Sequence, residues 1–159
     1  MPYSGFRMKL TESQRRQIED LHALYIRLID DDRLDVWPDL FVDYCLYRIT
    51  TRENVPLMEC QGQGMLAYRA AELRKLNEHE RHRYSHQISG LLVESFDGET
   101  AVCRSNYLVV RTTVDGEMSL LSVGLYLDKI ALDGPEAKFE ERIVVADSNL
   151  DDTLLVVPL

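Results

Sequence analysis

The chain has 159 residues and a formal net charge of −9 at pH 7, and this length suits one domain with a sizeable buried core. The negative charge disfavours a nucleic-acid partner, because phosphate binding needs clustered Lys and Arg side chains. No apolar run approaches the roughly 18 residues of a membrane span, and the three cysteines are widely spaced and not preceded by a signal peptide. We therefore expect a single domain over 1–159 in the reducing cytoplasm.

The first half of the chain predicts three helices. Thr11 and Gln14 form a capping-box pattern, which predicts the start of a helix with apolar residues at helical spacing. This helix should end near the acidic run 30–32, because negative charge at a helix C-terminus opposes the macrodipole. A short second helix is predicted from Asp35 and a third over about 64–79.

The second half predicts an antiparallel meander. Asp-Gly pairs recur every eighteen residues between alternating apolar runs, at Asp97-Gly98, Asp115-Gly116 and Asp133-Gly134. Asp-Gly between apolar runs is typical of hairpins, because their turns need positive φ. The strands predicted around these turns are about 84–96, 100–114, 117–132 and 137–146. An earlier strand is predicted at 44–50, and the Pro, Asn and Gly of 51–63 predict a loop.

This order of elements predicts an α+β fold, in which three N-terminal helices pack on a strongly curved, mostly antiparallel sheet. It is the order of the cone-shaped, cystatin-like fold of the nuclear-transport-factor and ketosteroid-isomerase type, which leaves a pocket at its open end. We interpret 1–10 as an N-terminal arm and 148–159 as a C-terminal tail that contributes to an interface and whose last six residues, 154–159, are apolar. The fold alone does not give the function, which depends on the residues of the site.

Three histidines are candidates for a metal site. His79, His82 and His86 are spaced at i, i+3 and i+7, so a continuous helix would place three imidazoles on one face. We favour a helix end that complements the dipole or contacts a partner, because the interleaved Arg81 and Arg83 raise the cost of adding a dication. The sequence also lacks the Cys-x-His and Cys-x-x-His pairs of a Rieske cluster and a convincing spacing for a mononuclear iron site.

A glycine motif gives a second candidate site. Gly62, Gly64 and Ala67 match the Gly-x-Gly-x-x-Ala dinucleotide fingerprint. The fingerprint must follow a buried parallel strand, whereas the preceding segment contains Pro56 and belongs to an antiparallel design. We interpret the motif as a loop and the start of a helix.

A pocket acid or base is the stronger enzyme hypothesis. An apolar cavity could raise the pKa of Asp43, or hold Tyr25, Tyr44, Tyr47 or His86 as proton donors. The interpretation we favour is that the tyrosines are core residues with satisfied hydroxyls or lie at the surface, and that Asp43 begins a strand.

Several stretches of the chain carry a family resemblance. They are Tyr47-Arg48-Ile49-Thr50, Glu80-Arg81-His82-Arg83-Tyr84, Gly124-Leu125-Tyr126-Leu127-Asp128-Lys129, the block 141–148 and the ending 152–159. With them, the chain resembles the small (β) subunits of Rieske-type aromatic-ring-hydroxylating oxygenases over about 18–159. It is most similar to the aromatic-acid subgroup, such as the small subunits of terephthalate dioxygenase and of the Rieske-type salicylate hydroxylases.

The resemblance implies a division of labour between two subunits. In this family the large subunit carries the Rieske 2Fe-2S cluster and the mononuclear Fe(II), and three large and three small subunits form a hexamer served by a reductase or ferredoxin. The small subunit usually supplies no chemistry, so we expect a structural role in aromatic-acid catabolism and no catalytic, cofactor-binding or metal residue in this chain. The alternative is a stand-alone isomerase or dehydratase of the cone fold. The residues predicted at the subunit interface are Arg81, His82, Arg83, Leu154, Leu155, Pro158 and Leu159.

Overall fold

The computed structural model describes residues 9–78, 82–147 and 157–159 of the chain. Within these ranges, two α-helices and a short 3-10 helix accompany one six-stranded mixed sheet. In chain order the elements are α1 (Glu12–Asp30), the 3-10 helix (Trp37–Leu40), β1 (Phe41–Thr51), β2 (Pro56–Gln61), α2 (Gln63–Asn77), β3 (Arg83–Phe96), β4 (Thr100–Thr112), β5 (Met118–Ala131) and β6 (Lys138–Ala146).

Helix α1 begins and ends where the sequence predicts. The Thr11 side chain accepts a hydrogen bond from the Gln14 amide, and the Gln14 side chain accepts one from the Thr11 amide, so the capping box is confirmed. The helix ends at Asp30, at the start of the acidic run. Its apolar stripe, which includes Ile18 and Tyr25, is buried in the core.

The prediction of a second α-helix from Asp35 is wrong. The structure has only the four-residue 3-10 helix there, with Pro38 in its first turn. Phe41 is already extended, with φ −112° and ψ 150°, so the chain enters β1 before a full α-helical turn can follow. The third predicted helix corresponds to α2, which ends at Asn77.

The meander of β3 to β6 confirms the predicted hairpins. Each consecutive pair is antiparallel, and the connections contain the three Asp-Gly pairs. Gly98 and Gly116 have φ of 106° and 85°, which an L side chain rarely adopts. Asp97 Oδ1 also accepts hydrogen bonds from the amides of Glu99 and Thr100. The turn chemistry and the alternating strands therefore determine this half of the sheet.

The other half of the sheet differs from the prediction. The strand order is β2-β1-β6-β5-β4-β3, and β1 pairs with β6 in parallel. Residues 51–63, predicted as a loop, contain β2, which pairs with β1 after a turn in which Asn54 has φ 61°. Pro56 is compatible with β2 because this strand lies at the sheet edge, where a missing amide donor is tolerated.

An aromatic cluster occupies the core between the helices and the inner face of the sheet. Its members are fully buried and come from five elements of secondary structure: Tyr25, Trp37, Phe41, Tyr47, Tyr126 and Phe139. The ring of Trp37 lies edge-on to that of Tyr47, with centroids 5.5 Å apart. Bulges in the β3–β4, β4–β5 and β5–β6 pairs bend these long strands. None of the helices that the structure describes is long and apolar enough to cross a membrane.

Candidate functional site

A buried ion pair lies at the centre of the inner face. Asp128 of β5 and Arg142 of β6 are cross-strand partners. Arg142 Nε and Nη2 donate to the two carboxylate oxygens of Asp128 at 2.8 and 2.7 Å, and both side chains are completely buried. His22 of α1 lies 3.2 Å from Asp128 Oδ2 through Nε2, and its Nδ1 lies 2.9 Å from the Ile18 carbonyl. This network joins α1 to the sheet.

Aromatic rings surround the Arg142 guanidinium. Its central carbon lies 4.1 Å from the ring centroid of Tyr25, 3.9 Å from that of Tyr126 and 4.2 Å from that of Phe139. Such cation–π contacts favour a desolvated cation.

Each member of the ion pair keeps the other charged. Burial alone would raise the pKa of Asp128, but the charge and hydrogen bonds of Arg142 lower that pKa below its ordinary value. Burial would likewise lower the pKa of Arg142, and the Asp128 carboxylate raises it. The pair therefore stays ionised at neutral pH and does not offer an exchangeable proton there.

A second polar cluster holds residues 157–159 inside the fold. The hydroxyl of Tyr25 donates to the Leu159 carbonyl oxygen at 2.5 Å, and the hydroxyl of Tyr47 donates to the same oxygen at 3.0 Å. The Leu159 amide donates in turn to the Tyr47 hydroxyl at 3.1 Å. Leu159 has no solvent exposure.

His86 connects this segment to α1. Its Nε2 lies 2.9 Å from the Pro158 carbonyl oxygen and its Nδ1 lies 2.6 Å from Asp30 Oδ1. Both neighbouring oxygens can accept a hydrogen bond, so each ring nitrogen of His86 faces an acceptor. The Asp30 carboxylate also accepts from the His86 amide at 3.0 Å.

Little space remains beside the segment. The cavity between Trp37, Tyr47 and Val157 has a volume of about 10 Å³, which is enough for one water molecule at most. Residues 157–159 and the surrounding side chains therefore fill the space beside Trp37 and Tyr47.

Comparison with known proteins places the chain in a family. The SnoaL-like domain model matches residues 11–142. The terminal oxygenase component subunit beta 1 of terephthalate 1,2-dioxygenase from Comamonas sp is 34% identical over 149 residues, covering 90% of this chain and 97% of that protein. The small subunit of anthranilate 1,2-dioxygenase from Burkholderia cepacia is 35% identical over 159 residues, covering 94% of this chain and 98% of that protein. The chain belongs to the family of small (β) dioxygenase subunits.

A solved structure gives the same family. The beta subunit of a proposed aromatic-ring-hydroxylating dioxygenase from Novosphingobium aromaticivorans DSM 12444 has 34% identity and a TM-score of 0.83. The match covers 94% of this chain and all of that one. The resemblance to the small subunits of ring-hydroxylating oxygenases is therefore confirmed. The fold of this family member is α+β with a mixed sheet.

The structure separates the predicted acid and base candidates into two groups. Tyr25, Tyr47 and His86 come together inside this small-subunit family member, where all three contact residues 158–159. Burial raises the pKa of both tyrosines, so their hydroxyls remain protonated donors. Asp43 and Tyr44 are exposed, Tyr44 to 74%, which agrees with the favoured interpretation and disfavours a pocket role for either residue. The chain bulges between Phe41 and Leu46, which turns both side chains outward.

The candidate metal-binding row of histidines does not form within the described residues. Helix α2 ends before His82, and His86 lies in β3, so the two histidines do not share a helix face. His79 and Arg81 lie outside the described residues. Among the residues that the structure describes, no three His, Cys, Asp or Glu side chains group as metal ligands.

The glycine motif has a structural explanation. Gly62 is the N-cap of α2, with φ 88°, and its amide donates to the Cys45 carbonyl at 2.7 Å. Gly64 lies in the first turn of α2. The preceding strand, β2, is an antiparallel edge strand, whereas a dinucleotide fingerprint follows a buried parallel strand.

The predicted interface residues lie in different environments. Arg83 is exposed and His82 is half-buried beside it, at a surface cleft of about 480 Å³. Pro158 and Leu159 are not at the surface, because they are buried against Tyr25, Tyr47 and His86 of the same chain. Arg81, Leu154 and Leu155 lie outside the described residues.

Sequence reasoning missed the Asp128–Arg142–His22 network. The signal was present in β5, where Gly124, Tyr126 and Asp128 occupy alternate positions and therefore share one face. Alternate positions of β5 and β6 face inward, and these include Asp128 and Arg142. An unpaired buried charge is costly, so a carboxylate and a guanidinium at inward positions are expected to pair.

Proposed function

We propose that this chain is the non-catalytic, structural small subunit of the terminal oxygenase component of a Rieske-type aromatic-ring-hydroxylating oxygenase, acting in aromatic-acid catabolism. The filled space between Tyr25 and Tyr47 is the observation that carries the proposal. Leu159 occupies the space between Tyr25 and Tyr47, where an isomerase or dehydratase using these groups would need room for a substrate. The alternative enzyme function is therefore less favoured.

The proposed substrate class comes from the names of the relatives. Terephthalate and anthranilate are both aromatic acids. We place the Rieske 2Fe-2S cluster and the mononuclear iron in a large partner subunit, and we assign no cofactor to this chain. We also place the complex in the cytoplasm, where the three buried free thiols would stay reduced.

The outer face of the sheet supports a role in assembly. It carries apolar cross-strand pairs that alternate with the buried inner residues: Leu108 with Val123, Leu125 with Val145, and Leu127 with Ile143. Val123 and Leu127 are 42% and 39% exposed. A contiguous apolar patch of this kind marks an interaction surface.

We propose that such surfaces contact large subunits and other small subunits in a complex of three large and three small subunits. The complex would receive electrons from a reductase or ferredoxin. Arg81, His82, Arg83, Leu154 and Leu155 remain proposed contributors to the interface, through charge-assisted hydrogen bonds and apolar contact.

The test is co-expression with the cognate large subunit. We expect the two chains to co-purify, and we expect the complex, with its electron-transfer partner, to hydroxylate an aromatic acid from a benzoate panel. Tyr25→Phe and Tyr47→Phe in the small subunit should leave the turnover per assembled complex unchanged, because neither hydroxyl touches the substrate.

Two results would contradict the proposal. One is loss of turnover in complexes that still assemble with Tyr47→Phe. The other is stoichiometric iron in the isolated small subunit that disappears with His82→Ala.

A further inference from the structure

We infer that the interior of the fold is a peptide-recognition site for Val157-Pro158-Leu159, and that the same tripeptide sequence binds there when supplied as a separate molecule. The segment is held by polar groups from three separated parts of the chain, namely α1, β1 and β3. Binding of the tripeptide is a property separate from the assembly role proposed above and does not depend on it.

Both backbone polar groups of Leu159, its amide and its carbonyl, are hydrogen-bonded by tyrosine hydroxyls. Tyr47 uses one hydroxyl to donate to the Leu159 carbonyl and to accept from the Leu159 amide. Tyr25 supplies a second donor to the same carbonyl oxygen. A carbonyl that accepts two hydrogen bonds in a buried site is satisfied without water.

The preceding carbonyl is recognised separately. His86 contacts the Pro158 oxygen, and Asp30 fixes the orientation of the His86 ring through its other nitrogen. Because proline has a restricted φ and no amide donor, a Val-Pro-Leu segment presents this carbonyl with little conformational freedom to lose. The site therefore matches the backbone of the segment at two successive carbonyls.

Apolar burial adds to this recognition. Val157 and Leu159 belong to the same core cluster as Trp37, and Leu159 has no exposed surface. Burial of the apolar side chains of the tripeptide favours its binding. The hydroxyls of Tyr25 and Tyr47 favour a ligand whose carbonyl oxygen lies within hydrogen-bond distance of both.

The experiment uses a chain ended by a stop codon after Val156. We expect a lower thermal unfolding midpoint than in the full chain. N-acetylated Val-Pro-Leu, in its free-acid or amide form, should raise that midpoint as its concentration increases, as expected for a ligand of the folded state. Binding of either form supports the inference, and binding of neither overturns it.

Matched tyrosine variants identify the recognition groups. In the shortened chain, Tyr25→Phe combined with Tyr47→Phe should weaken tripeptide binding by about tenfold or more, because both donors to one carbonyl are lost. Tyr107→Phe is the control, since the Tyr107 hydroxyl is buried but bonds to Ser122 at 2.9 Å rather than to the segment. Equal affinity in the double variant and the control would overturn the inference.

A second measurement applies if the shortened chain does not fold. In the full chain, amide hydrogen exchange reports on the Leu159 N–H, which the structure bonds to Tyr47. We expect the tyrosine double variant to exchange this amide about tenfold faster, with no change in the Tyr107→Phe variant. Unchanged protection in the double variant would show that packing alone holds the segment.

Discussion

Arg142 shows how a charge can be accommodated in an otherwise apolar core. Its guanidinium forms two hydrogen bonds with Asp128 and lies over three aromatic rings. One strand position away, Lys129 and Glu141 form an ion pair at 3.4 Å on the outer face. The two strands thus carry one buried and one exposed ion pair side by side.

This arrangement gives a matched pair of substitutions. We expect Arg142→Met to destabilise the fold by about 3–5 kcal/mol, because it leaves the Asp128 carboxylate buried without its cation. Lys129→Met should cost about 1 kcal/mol or less, because the exposed pair is screened by water. Urea unfolding of both variants measures the difference, and equal losses would contradict the structural assignment.

The ionisation of Asp128 should make the stability of the fold depend on pH. The pKa of Asp128 in the folded state lies below its ordinary value, because Arg142 and His22 together outweigh the effect of burial. A lowered folded-state pKa gives stability that is present above the unfolded pKa and lost as the pH falls through the folded pKa. We therefore expect the free energy of unfolding to fall below about pH 4, with at most about 1.4 kcal/mol per pH unit from this group.

The control for this pH dependence is a surface carboxylate. In Asp128→Asn the free energy of unfolding should fall less steeply as the pH is lowered. This difference from the parent chain should persist in added salt. Asp147 also has a lowered pKa, caused by its hydrogen bond with Arg52, but this pair is largely exposed. Any effect of Asp147→Asn should disappear in salt. If salt also erased the Asp128 effect, the pair would not be buried.

At the scale of the element, β5 depends on one glycine. A Cβ added at Gly124 would lie 2.0 Å from the Val145 carbonyl oxygen of β6 and 3.0 Å from the Tyr107 ring. Gly124 therefore allows the close approach of β6 and the stacking of Tyr107 on Tyr126, whose centroids are 4.7 Å apart.

We expect Gly124→Ala to destabilise the fold by about 3 kcal/mol or to prevent folding, because backbone atoms must move to admit the methyl group. Gly64→Ala is the control. Nothing lies within 4 Å of the added Cβ in the first turn of α2, so this change should stabilise the chain by about 0.4–1 kcal/mol. Thermal unfolding of the two variants should shift in opposite directions.

Elements with local signals were predictable from the sequence. The Thr11–Gln14 capping box and the Asp-Gly pairs act within a few residues of the structure that they determine, so the bounds of α1 and β3–β6 followed closely. The pairing of β1 with β6 has no local signal, because its partners lie far apart in the chain. For the same reason β2 looked like a loop, since its strand character depends on β1.

The site was predictable only in part, for a related reason. Alternation and helical spacing place Tyr25 and Tyr47 on inward faces, and both are buried. The bulge that turns Tyr44 outward interrupts this alternation without a clear sequence signal. The docking of Leu159 between Tyr25 and Tyr47 joins positions more than a hundred residues apart, which no pattern along the chain encodes.

At the scale of the whole molecule, the apolar outer face of the sheet predicts an effect on assembly. We expect Val123→Glu combined with Leu127→Glu to weaken association, because the carboxylates would be desolvated at a buried interface. The thermal stability of the isolated chain should change little, since both side chains are partly exposed. Light scattering of the complex with the large subunit measures the assembled mass.

Val55→Glu is the control for this prediction. Val55 is 53% exposed beside β2, at the far edge of the sheet, and its replacement should leave the assembled mass unchanged. An unchanged mass in the outer-face variant would show that this face is not the contact surface.

The parallel pairing of β1 with β6 affects how the chain folds while it is being synthesised. β1 is complete early, but its neighbour in the sheet is translated roughly a hundred residues later. Until then, the backbone groups of β1 that later bond to β6 have no strand partner. The hairpins of the meander are local and can form before this pairing. Folding should therefore be limited by this late, long-range closure, and the nascent chain exposes an unpaired strand edge for most of its synthesis.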